Sequence, residues 1–288
     1  MPSIIFYALL SILLAGVPCL AADVLIIADA QLKPVMEATQ GIRKTLRTST
    51  RTYSPGEVKG ALATVMLREN ARLVIALGRE ALAEALTLSP TIPVIFGMVV
   101  TPPPVSRPNT AGFYMATPSS EYTELLKNHL PALKRVSIVA SNAFLNILAS
   151  DVSAPVNAHS VKNAAEFVST IKRMTTSDAI LLLPDSSVMT STAMEEAYLF
   201  SFRQRIPLLG ISERHVKEGA LLALVVDMVN VGKVMGEYAT RALKSGSVGQ
   251  SPAAPPRKFE LYLNLDTARK MRISIPDEVT RMARKTYP

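Results

Sequence analysis

Short runs of apolar, mostly β-branched residues alternate along this chain with segments in which apolar residues recur every three or four positions. The runs are typical of strands buried on both faces, and the segments between them are typical of helices that cover a parallel sheet. The first part of the chain predicts strands at Val24–Ala28, Leu73–Leu77 and Pro93–Phe96. Two helical faces are indicated between them, one with Val35, Ala38, Ile42 and Leu46 and one with Val58, Leu62, Val65 and Met66.

The alternation starts again after a proline-rich stretch at Thr101–Pro108 and a short predicted strand at Gly112–Met115. A helix is predicted over Ser119–Leu130, because serines stand at its start and Glu121 lies in its first turn. The later strands are predicted at Val136–Ala140, Ala179–Leu183, Pro207–Ile211 and Ala220–Val225, and the later helices at Ala164–Met174 and Thr190–Arg203. Two successive α/β series in one chain predict two lobes.

The last part of the chain predicts a long amphipathic helix, then a linker at Ser245–Pro256, a strand at Phe259–Leu265 and a closing helix at Pro276–Arg284. The apolar face of the long helix carries Val231, Val234, Met235, Tyr238, Ala239 and Ala242. A single strand and helix cannot bury a core alone, so they are expected to return to a lobe that is already built. The residues show no internal repeat.

The N-terminal segment has the character of a secretory signal peptide. Residues 1–22 contain no charged side chain, and the apolar run Ile4–Val17 is short for a membrane span. Cleavage after Ala21 or Ala22 would leave a mature chain in the bacterial periplasm. An uncleaved N-terminal anchor remains an alternative, as does a lipoprotein with Cys19 lipidated, although Pro18 fits a lipidation signal poorly.

Charge and cysteine content narrow the possible functions. The formal net charge is +8, but the lysines and arginines are scattered and form no dense block interleaved with aromatic residues, so solvated helix faces are favoured over nucleic-acid binding. Cys19 is the only cysteine, and its loss with the signal peptide excludes disulfides and zinc–cysteine clusters. The histidines are too dispersed for a metal site, so we expect no metal and no cofactor; they are His129, His159 and His215.

The sequence lacks the motifs of the common enzyme classes. It has no Gly-x-Gly-x-x-Gly, phosphate-binding Gly-rich loop with Lys, nucleophile elbow or His-Glu-x-x-His. Ser186 and Ser187 stand beside Asp185, but no histidine is spaced to act as their base. We therefore expect no catalytic residue. An exported α/β hydrolase that uses Ser186 or Asp185 remains an alternative.

Several stretches occur in the order and spacing of a known family. They are Leu73–Gly78, Ile92–Phe96, Asn109–Gly112, Leu130–Val136, Asp178–Asp185, Arg205–Pro207, Val216–Ala220, Asp227 and Phe259–Asn264, which leads to Ile275–Pro276. With them the chain from about Arg72 to Pro288 resembles ABC-transporter substrate-binding proteins with the type I periplasmic-binding fold, a group that includes tryptophan- and tyrosine-type uptake proteins.

The resemblance implies two Rossmann-like lobes with parallel sheets, joined by a three-crossing hinge near Tyr114–Pro118, Val226–Val229 and Lys258–Leu261. Lobe 1 would hold residues 23–115 and 229–258, and lobe 2 would hold residues 116–228 and 259–288, with the C-terminal segment returning across the hinge. It also implies a small-molecule ligand in the cleft between the lobes, an ABC permease at the inner membrane as partner, a monomer, and no nucleic acid.

Two departures from the family pattern favour an alternative function. Thr101-Pro102 stands where the family usually has Asp-Pro, and the stretch between Asn142 and His159 is short for the family. The alternative is a binding-dead or sensory protein that keeps the fold but docks to a membrane or envelope partner.

Candidate ligand-binding residues follow from the rule that open parallel sheets bind ligands beyond the carboxyl ends of their strands. The residues after predicted strands are Asp29, Gly78, Arg79, Gly97, Asn142, Asp185 and Ser186, and the predicted crossings add Tyr114, Thr117 and Asp227. For an amino-acid ligand, backbone N–H groups after Gly78 would bind the carboxylate, and Asp185 or Asp227 would accept from the ammonium.

Each of these residues also has a structural interpretation. Asp29 and Asp185 are typical of turns and helix caps, and Arg79 of a solvated helix start. Tyr114 would pack in the hinge, and Asp227 would anchor the hinge through backbone hydrogen bonds.

Overall fold

The computed structural model describes residues 22–100, 107–115, 117–149, 156–249 and 256–288. Within these ranges the chain forms two compact units: unit 1 holds residues 22–96, 107–111 and 232–249, and unit 2 holds the rest. None of the described helices is both long enough and apolar enough to cross a bilayer. The predicted signal peptide, apart from Ala22, and Thr101-Pro102 lie outside the described residues.

The first sheet is formed by β1 (Val24–Ala28), β2 (Thr50–Tyr53), β3 (Leu73–Leu77), β4 (Val94–Val99) and β5 (Thr110–Tyr114), in the order β2-β1-β3-β4-β5. Strand β1 runs parallel to both neighbours, with Val24 opposite Thr50 and Leu73. All residues of β1 and β3 are buried, which confirms the prediction from their continuous apolar runs.

The second sheet is formed by β6 (Val136–Ala140), β7 (Val156–Ser160), β8 (Ala179–Leu181), β9 (Leu208–Gly210), β10 (Leu222–Val226), β11 (Phe259–Asn264) and β12 (Lys285–Tyr287). Its order is β12-β11-β10-β9-β8-β6-β7. Its part β7-β6-β8-β9-β10 repeats the order β2-β1-β3-β4-β5 of the first sheet, with each strand number raised by five. The two sheets are therefore a structural repeat that the residues do not reveal.

The predicted parallel arrangement holds from β7 to β10, and the C-terminal addition departs from it. Strand β11 runs antiparallel to β10, with Leu222 opposite Leu263, and β12 then runs parallel to β11. The terminal strand thus pairs with the second sheet, and Val279 of the closing helix packs in the core on one face of that sheet.

The helices are α1 (Lys33–Thr45), α2 (Pro55–Val58), α3 (Leu62–Glu69), α4 (Arg79–Ala85), α5 (Ser119–His129), α6 (Asn142–Ala149), α7 (Ala164–Lys172), α8 (Ser191–Gln204), α9 (Glu213–Glu218), α10 (Met228–Ser245), α11 (Leu265–Met271) and α12 (Asp277–Met282). The predicted inward faces of α1 and of the pair α2 and α3 are buried. Gly60, with φ of 67°, separates α2 from α3. The stretch between Asn142 and His159 contains helix α6 and most of strand β7.

Unit 2 has a hydrophobic core on each face of its sheet, because neighbouring strand residues point to opposite faces. Ile138 and Leu181 pack with Tyr122 of α5 on one face. Val139 and Ile180 pack with residues of α7 and α8 on the other. The two-sided burial explains why β6 and β8 have no polar alternation.

In unit 1, helix α10 lies so close to α1 that two glycines are required. A Cβ atom at Gly232 would overlap the carbonyl oxygen of Ala38, and one at Gly236 would overlap Thr45. The Thr45 hydroxyl donates to the carbonyl oxygen of Lys233 at 2.7 Å. These contacts attach the C-terminal part of α10 to the first sheet's helix layer.

Candidate functional site

Each sheet has one point where the chain connections diverge. The chain leaves β1 towards β2 on one side and leaves β3 towards β4 on the other, and the same holds for β6 and β8 in the second sheet. In open α/β sheets, ligands bind in the crevice at the carboxyl ends of such a strand pair. In unit 1 the crevice is bordered by Asp29 and Gly78, and in unit 2 by Ser141 and the loop that carries Asp185.

Asp29 lies directly after β1 and is exposed. One oxygen of its carboxylate, Oδ1, accepts the N–H of Gln31 at 3.2 Å, and its carbonyl oxygen accepts the N–H of Leu32 at 3.2 Å. These bonds form the turn that leads into α1. The carboxylate makes no ion pair with any residue that the structure describes, so it keeps accepting capacity for a ligand.

Gly78 and Arg79 begin the connection after β3. Gly78 has φ of 103°, a conformation that L side chains rarely adopt, and its carbonyl oxygen accepts the N–H of Leu82 at 3.0 Å. Arg79 is the first residue of α4 and is exposed. Its guanidinium group forms no salt bridge within the described ranges.

Gly97, Tyr114 and Thr117 lie in or after the last strands of the first sheet. Gly97 is buried inside β4 and does not follow it, because the strand continues to Val99. Tyr114 ends β5 and Thr117 precedes α5, and both are buried. The Thr117 hydroxyl hydrogen-bonds to Tyr122, which gives it a structural partner.

Asp185 is held by the loops after β6 and β8. Its carboxylate is almost completely buried, with a residue exposure of 1%. Oδ2 accepts the N–H of Ser141 at 2.8 Å, and Oδ1 accepts the N–H and the hydroxyl of Ser187 at 3.1 and 2.5 Å. Burial alone would raise the pKa of Asp185, but the hydrogen bonds from Ser141 and Ser187 outweigh it and hold the pKa below its ordinary value.

Asn142 and Ser186 border the same crevice with uncharged groups. The Ser160 hydroxyl donates to Oδ1 of Asn142 at 2.5 Å, so the Asn142 amide is oriented from the end of β7. Ser186 is exposed beside the buried Asp185. Unit 2 thus presents neutral hydrogen-bonding groups at its crevice.

Asp227 directly precedes helix α10. Its Oδ1 accepts the N–H of Asn230 at 2.9 Å, its Oδ2 lies 3.7 Å from Nζ of Lys258, and its own N–H donates to the carbonyl oxygen of Lys258 at 3.1 Å. These contacts are those of a helix cap joined to the start of β11.

Sequence reasoning missed Tyr122, which bridges the carboxyl end of β9 and the middle of β10. Its fully buried hydroxyl donates to the carbonyl oxygen of Gly210 at 2.6 Å and accepts the N–H of Leu224 at 3.2 Å. Burial raises its pKa, so the hydroxyl stays protonated. The only sequence signal was a tyrosine on the apolar face of a predicted helix.

Within the described ranges, no three His, Cys, Asp or Glu side chains are close enough to hold a metal ion. His129 instead lies 2.8 Å from Glu278, and Nδ1 of His215 accepts the N–H of Ile211 at 3.3 Å. Both histidines thus have structural partners.

Residues 53–287 match the family model described as ABC transporter substrate binding protein. No curated protein sequence matches the chain significantly. Among solved structures, a ligand-free substrate binding protein with adhesive properties from Clostridium difficile is similar at 16% identity, with a TM-score of 0.69 and coverage of 92% of this chain and 98% of that one.

Two further solved structures have a similar fold. A conserved domain protein from Vibrio cholerae is 19% identical, with a TM-score of 0.60 and coverage of 92% of this chain and 99% of that one. An ABC domain from Streptococcus pneumoniae in complex with L-Trp is 17% identical, with a TM-score of 0.57 and coverage of 91% and 99%. At these identities the similarity concerns the fold.

Proposed function

Because the chain belongs to the ABC transporter substrate-binding protein family, we propose that it is the solute-binding component of an ABC-type importer and captures a small organic molecule between its two lobes. The observation that carries the proposal is the placement of polar groups at both crevices. Asp29 and Arg79 border that of unit 1, and Asn142 and Ser186 border that of unit 2. Such groups bind a solute without chemical conversion, so no catalytic role is proposed.

The proposed setting is the periplasm. The signal-like residues 1–22 support export, and a solute receptor at that location would act as a monomer that delivers its ligand to an ABC permease in the inner membrane. No nucleic acid takes part in this function.

An amino acid is the proposed ligand class. A protein of similar fold is in complex with L-Trp, and the crevice of unit 1 combines a carboxylate with a guanidinium group. An amino acid needs groups of both signs.

The test is thermal unfolding of the purified protein with each of the twenty L-amino acids and a panel of other small solutes. A ligand at one hundred times its Kd stabilises the native state by about 2.7 kcal/mol, which raises the Tm by about 5–10 °C for a chain of this size. Lysozyme with the same compounds controls for general effects of added ions. If no compound raises the Tm, the importer function is wrong.

The alternative of a sensory protein without a ligand is favoured by one observation, the occupation of Asp185 and Asp227 by internal contacts. Mass spectrometry of small molecules released from protein purified from its native source separates the two functions. A receptor releases a stoichiometric solute. A ligand-free protein releases none and retains a membrane partner in a pull-down without added solute.

A further inference from the structure

Six exposed cations lie at one edge of unit 1, where the chain enters the first three strands of its sheet. Because Val24 stands opposite both Thr50 and Leu73, the turns before β1, β2 and β3 meet at this edge. The cations come from the last turn of α1, the turn before β2, β2 itself, the end of α3 and the turn before β3. They are Arg43, Lys44, Arg47, Arg51, Arg68 and Arg72, and we call this set the basic surface.

Carboxylates at this edge orient part of the basic surface but do not neutralise it. Glu69 is 1% exposed; its Oε2 accepts from the Arg51 guanidinium at 2.6 Å, and its Oε1 lies 3.3 Å from Nε of Arg68. Oδ1 of Asp23 lies 3.0 Å from the Arg72 guanidinium. The other three cations form no salt bridge with any residue that the structure describes. Two carboxylates therefore fix three of the six cations and leave a positive excess.

Helix α10 adds charges of both signs beside the basic surface. The Thr240 hydroxyl lies 3.4 Å from the carbonyl oxygen of Thr45, the last residue of α1. Three exposed charged side chains lie within about one helical turn of Thr240: Glu237, Arg241 and Lys244. They bring one carboxylate and two cations, so the positive excess at this edge is retained.

A leucine is exposed among these cations. Leu67 directly precedes Arg68 in α3 and is 83% exposed, more than any other large apolar side chain within the described ranges. A leucine gains free energy when it leaves water. The surface of a bilayer suits this combination, because its headgroup phosphates bind cations and the adjacent acyl chains accept an apolar side chain.

The apolar N-terminal segment joins the folded chain at the same edge. The N–H of Ala22 donates to the carbonyl oxygen of Glu69 at 3.0 Å, and the N–H of Asp23 donates to the Ser49 hydroxyl at 3.0 Å. The apolar run Ile4–Val17 ends five residues before Ala22, a stretch that spans at most about 18 Å. While that run occupies a membrane, during export or as an anchor, the basic surface is held close to the lipid headgroups.

We propose that the basic surface binds the anionic phospholipid headgroups of a bilayer, with Leu67 entering the boundary between headgroups and acyl chains. Arg43, Lys44 and Arg47 supply the charges that are not paired within the described chain. The attraction is strongest at low salt, because ions screen exposed charges beyond about 10 Å at 0.1 M. The contact needs no bound solute, so it goes beyond the function proposed above and does not rest on it.

Vesicle sedimentation tests this contact on the protein purified after export. Vesicles of phosphatidylcholine alone are compared with vesicles of phosphatidylcholine and phosphatidylglycerol in equal parts. An apolar N-terminal segment that is retained binds to both, so the readout is the ratio of the two partition coefficients. We expect a ratio on the order of tenfold or more in favour of the anionic vesicles, falling towards one at about 0.5 M NaCl.

Two triple variants assign the binding to this surface. The first removes the three cations without a salt bridge and is expected to lower the ratio on the order of tenfold; it is Arg43→Gln, Lys44→Gln and Arg47→Gln. The second removes the same charge from exposed positions of unit 2 that form no salt bridge with described residues, and it should lower the ratio much less; it is Lys127→Gln, Arg203→Gln and Arg281→Gln.

A second pair of variants tests the leucine. Leu67→Ser is expected to weaken binding to the anionic vesicles on the order of tenfold. Leu32→Ser, at an exposed leucine just before α1 and beyond the carboxyl end of β1, is the control and should bind as the wild type does.

The proposal is overturned if the wild-type protein binds both vesicle types equally, or if the ratio persists at high salt. It is also overturned if the two triple variants lose the ratio to the same extent, because net charge alone would then explain the binding. Binding to a DNA duplex without binding to anionic vesicles would assign the surface to another polyanion and would equally refute it.

Discussion

The hydroxyl of Tyr122 on α5 donates to the carbonyl oxygen of Gly210 at the end of β9 at a distance of 2.6 Å. The pairing of β9 with β10 ends there, at Gly210 opposite Ala223, and the next amide, that of Leu224, donates to the same hydroxyl at 3.2 Å. One side chain thus satisfies the two backbone groups where the neighbouring strands separate.

Removing this hydroxyl is expected to destabilise the protein. In Tyr122→Phe, the buried Gly210 carbonyl and Leu224 amide lose their partner, and we expect a loss of about 1–3 kcal/mol in the free energy of unfolding. Urea denaturation measures it. Tyr262→Phe, which removes a partly exposed hydroxyl, is the control and should change stability by less than about 0.5 kcal/mol. Equal effects of the two variants would contradict the role given to Tyr122.

The contact of α10 with α1 predicts that replacing glycine by alanine changes the stability of the protein in opposite directions at different glycines. Alanine favours a helix over glycine by about 1 kcal/mol. At Gly232 and Gly236 the added Cβ overlaps α1, and overpacking is expected to outweigh that gain and destabilise by about 1–3 kcal/mol. At Gly56 in α2 the added Cβ meets no atom within 4 Å, so Gly56→Ala should be neutral or stabilising. Chemical denaturation of the three alanine variants measures their free energies of unfolding. A Gly232→Ala protein as stable as the wild type would refute the close packing of α10 on α1.

The sequence predicts the central strands well because burial on both faces selects a continuous apolar run. The predictions for β1, β3 and β6 match the structure at both ends. Edge strands cannot be predicted in the same way. The β2 sequence Thr-Arg-Thr-Tyr and the exposed β7 have no apolar run, because one side or one face of an edge strand remains in water. The short helices α4, α9 and α11 are below the length at which periodicity can be recognised.

For the candidate site, the sequence predicts where the candidate side chains lie along the strands, but it does not predict which of them are already bound by other groups of the protein. Asp29 and Asp185 both follow apolar strands, and nothing local distinguishes their carboxylates. The difference arises from partners supplied by the fold: the Asp185 carboxylate meets the amide of Ser141, which follows another strand, whereas Asp29 has only its own turn. Such contacts depend on strand order, which a single sequence does not show.

The Asp185 carboxylate is expected to act in stability and not in ligand charge. In Asp185→Asn, the amide nitrogen cannot accept from Ser141 or Ser187, and the expected loss is about 1–3 kcal/mol at pH 7. The folded-state pKa lies below the unfolded value of about 3.9, so the stabilisation is present above that pH and is lost as the pH falls through the folded-state value.

Unfolding measured between pH 7 and pH 3 tests this expectation. The difference between the wild-type protein and Asp185→Asn should narrow below about pH 4, where the wild-type carboxylate begins to be protonated in the unfolded state. A difference that stays constant down to pH 3 would mean that the hydrogen bonds of the ionised carboxylate are not its cause.

The C-terminal strand gives the last prediction, because Glu213 holds β12 through Lys285 and Tyr287. These contacts lower the pKa of Glu213 to about 2, with the hydrogen bond from Lys285 as the largest cause. The stabilisation is therefore present above the unfolded pKa of about 4.3 and is lost as the pH falls towards 2. The Glu213 side chain is 26% exposed, so solvent screens its ion pair with Lys285, and Glu213→Gln should lower the free energy of unfolding by only about 1 kcal/mol or less at pH 7.

Hydrogen exchange of the β12 amides should accelerate in Glu213→Gln. It should accelerate less in the control Glu37→Gln, which removes an exposed ion pair on α1. Unchanged exchange in β12 would show that the strand is held by its pairing with β11 alone.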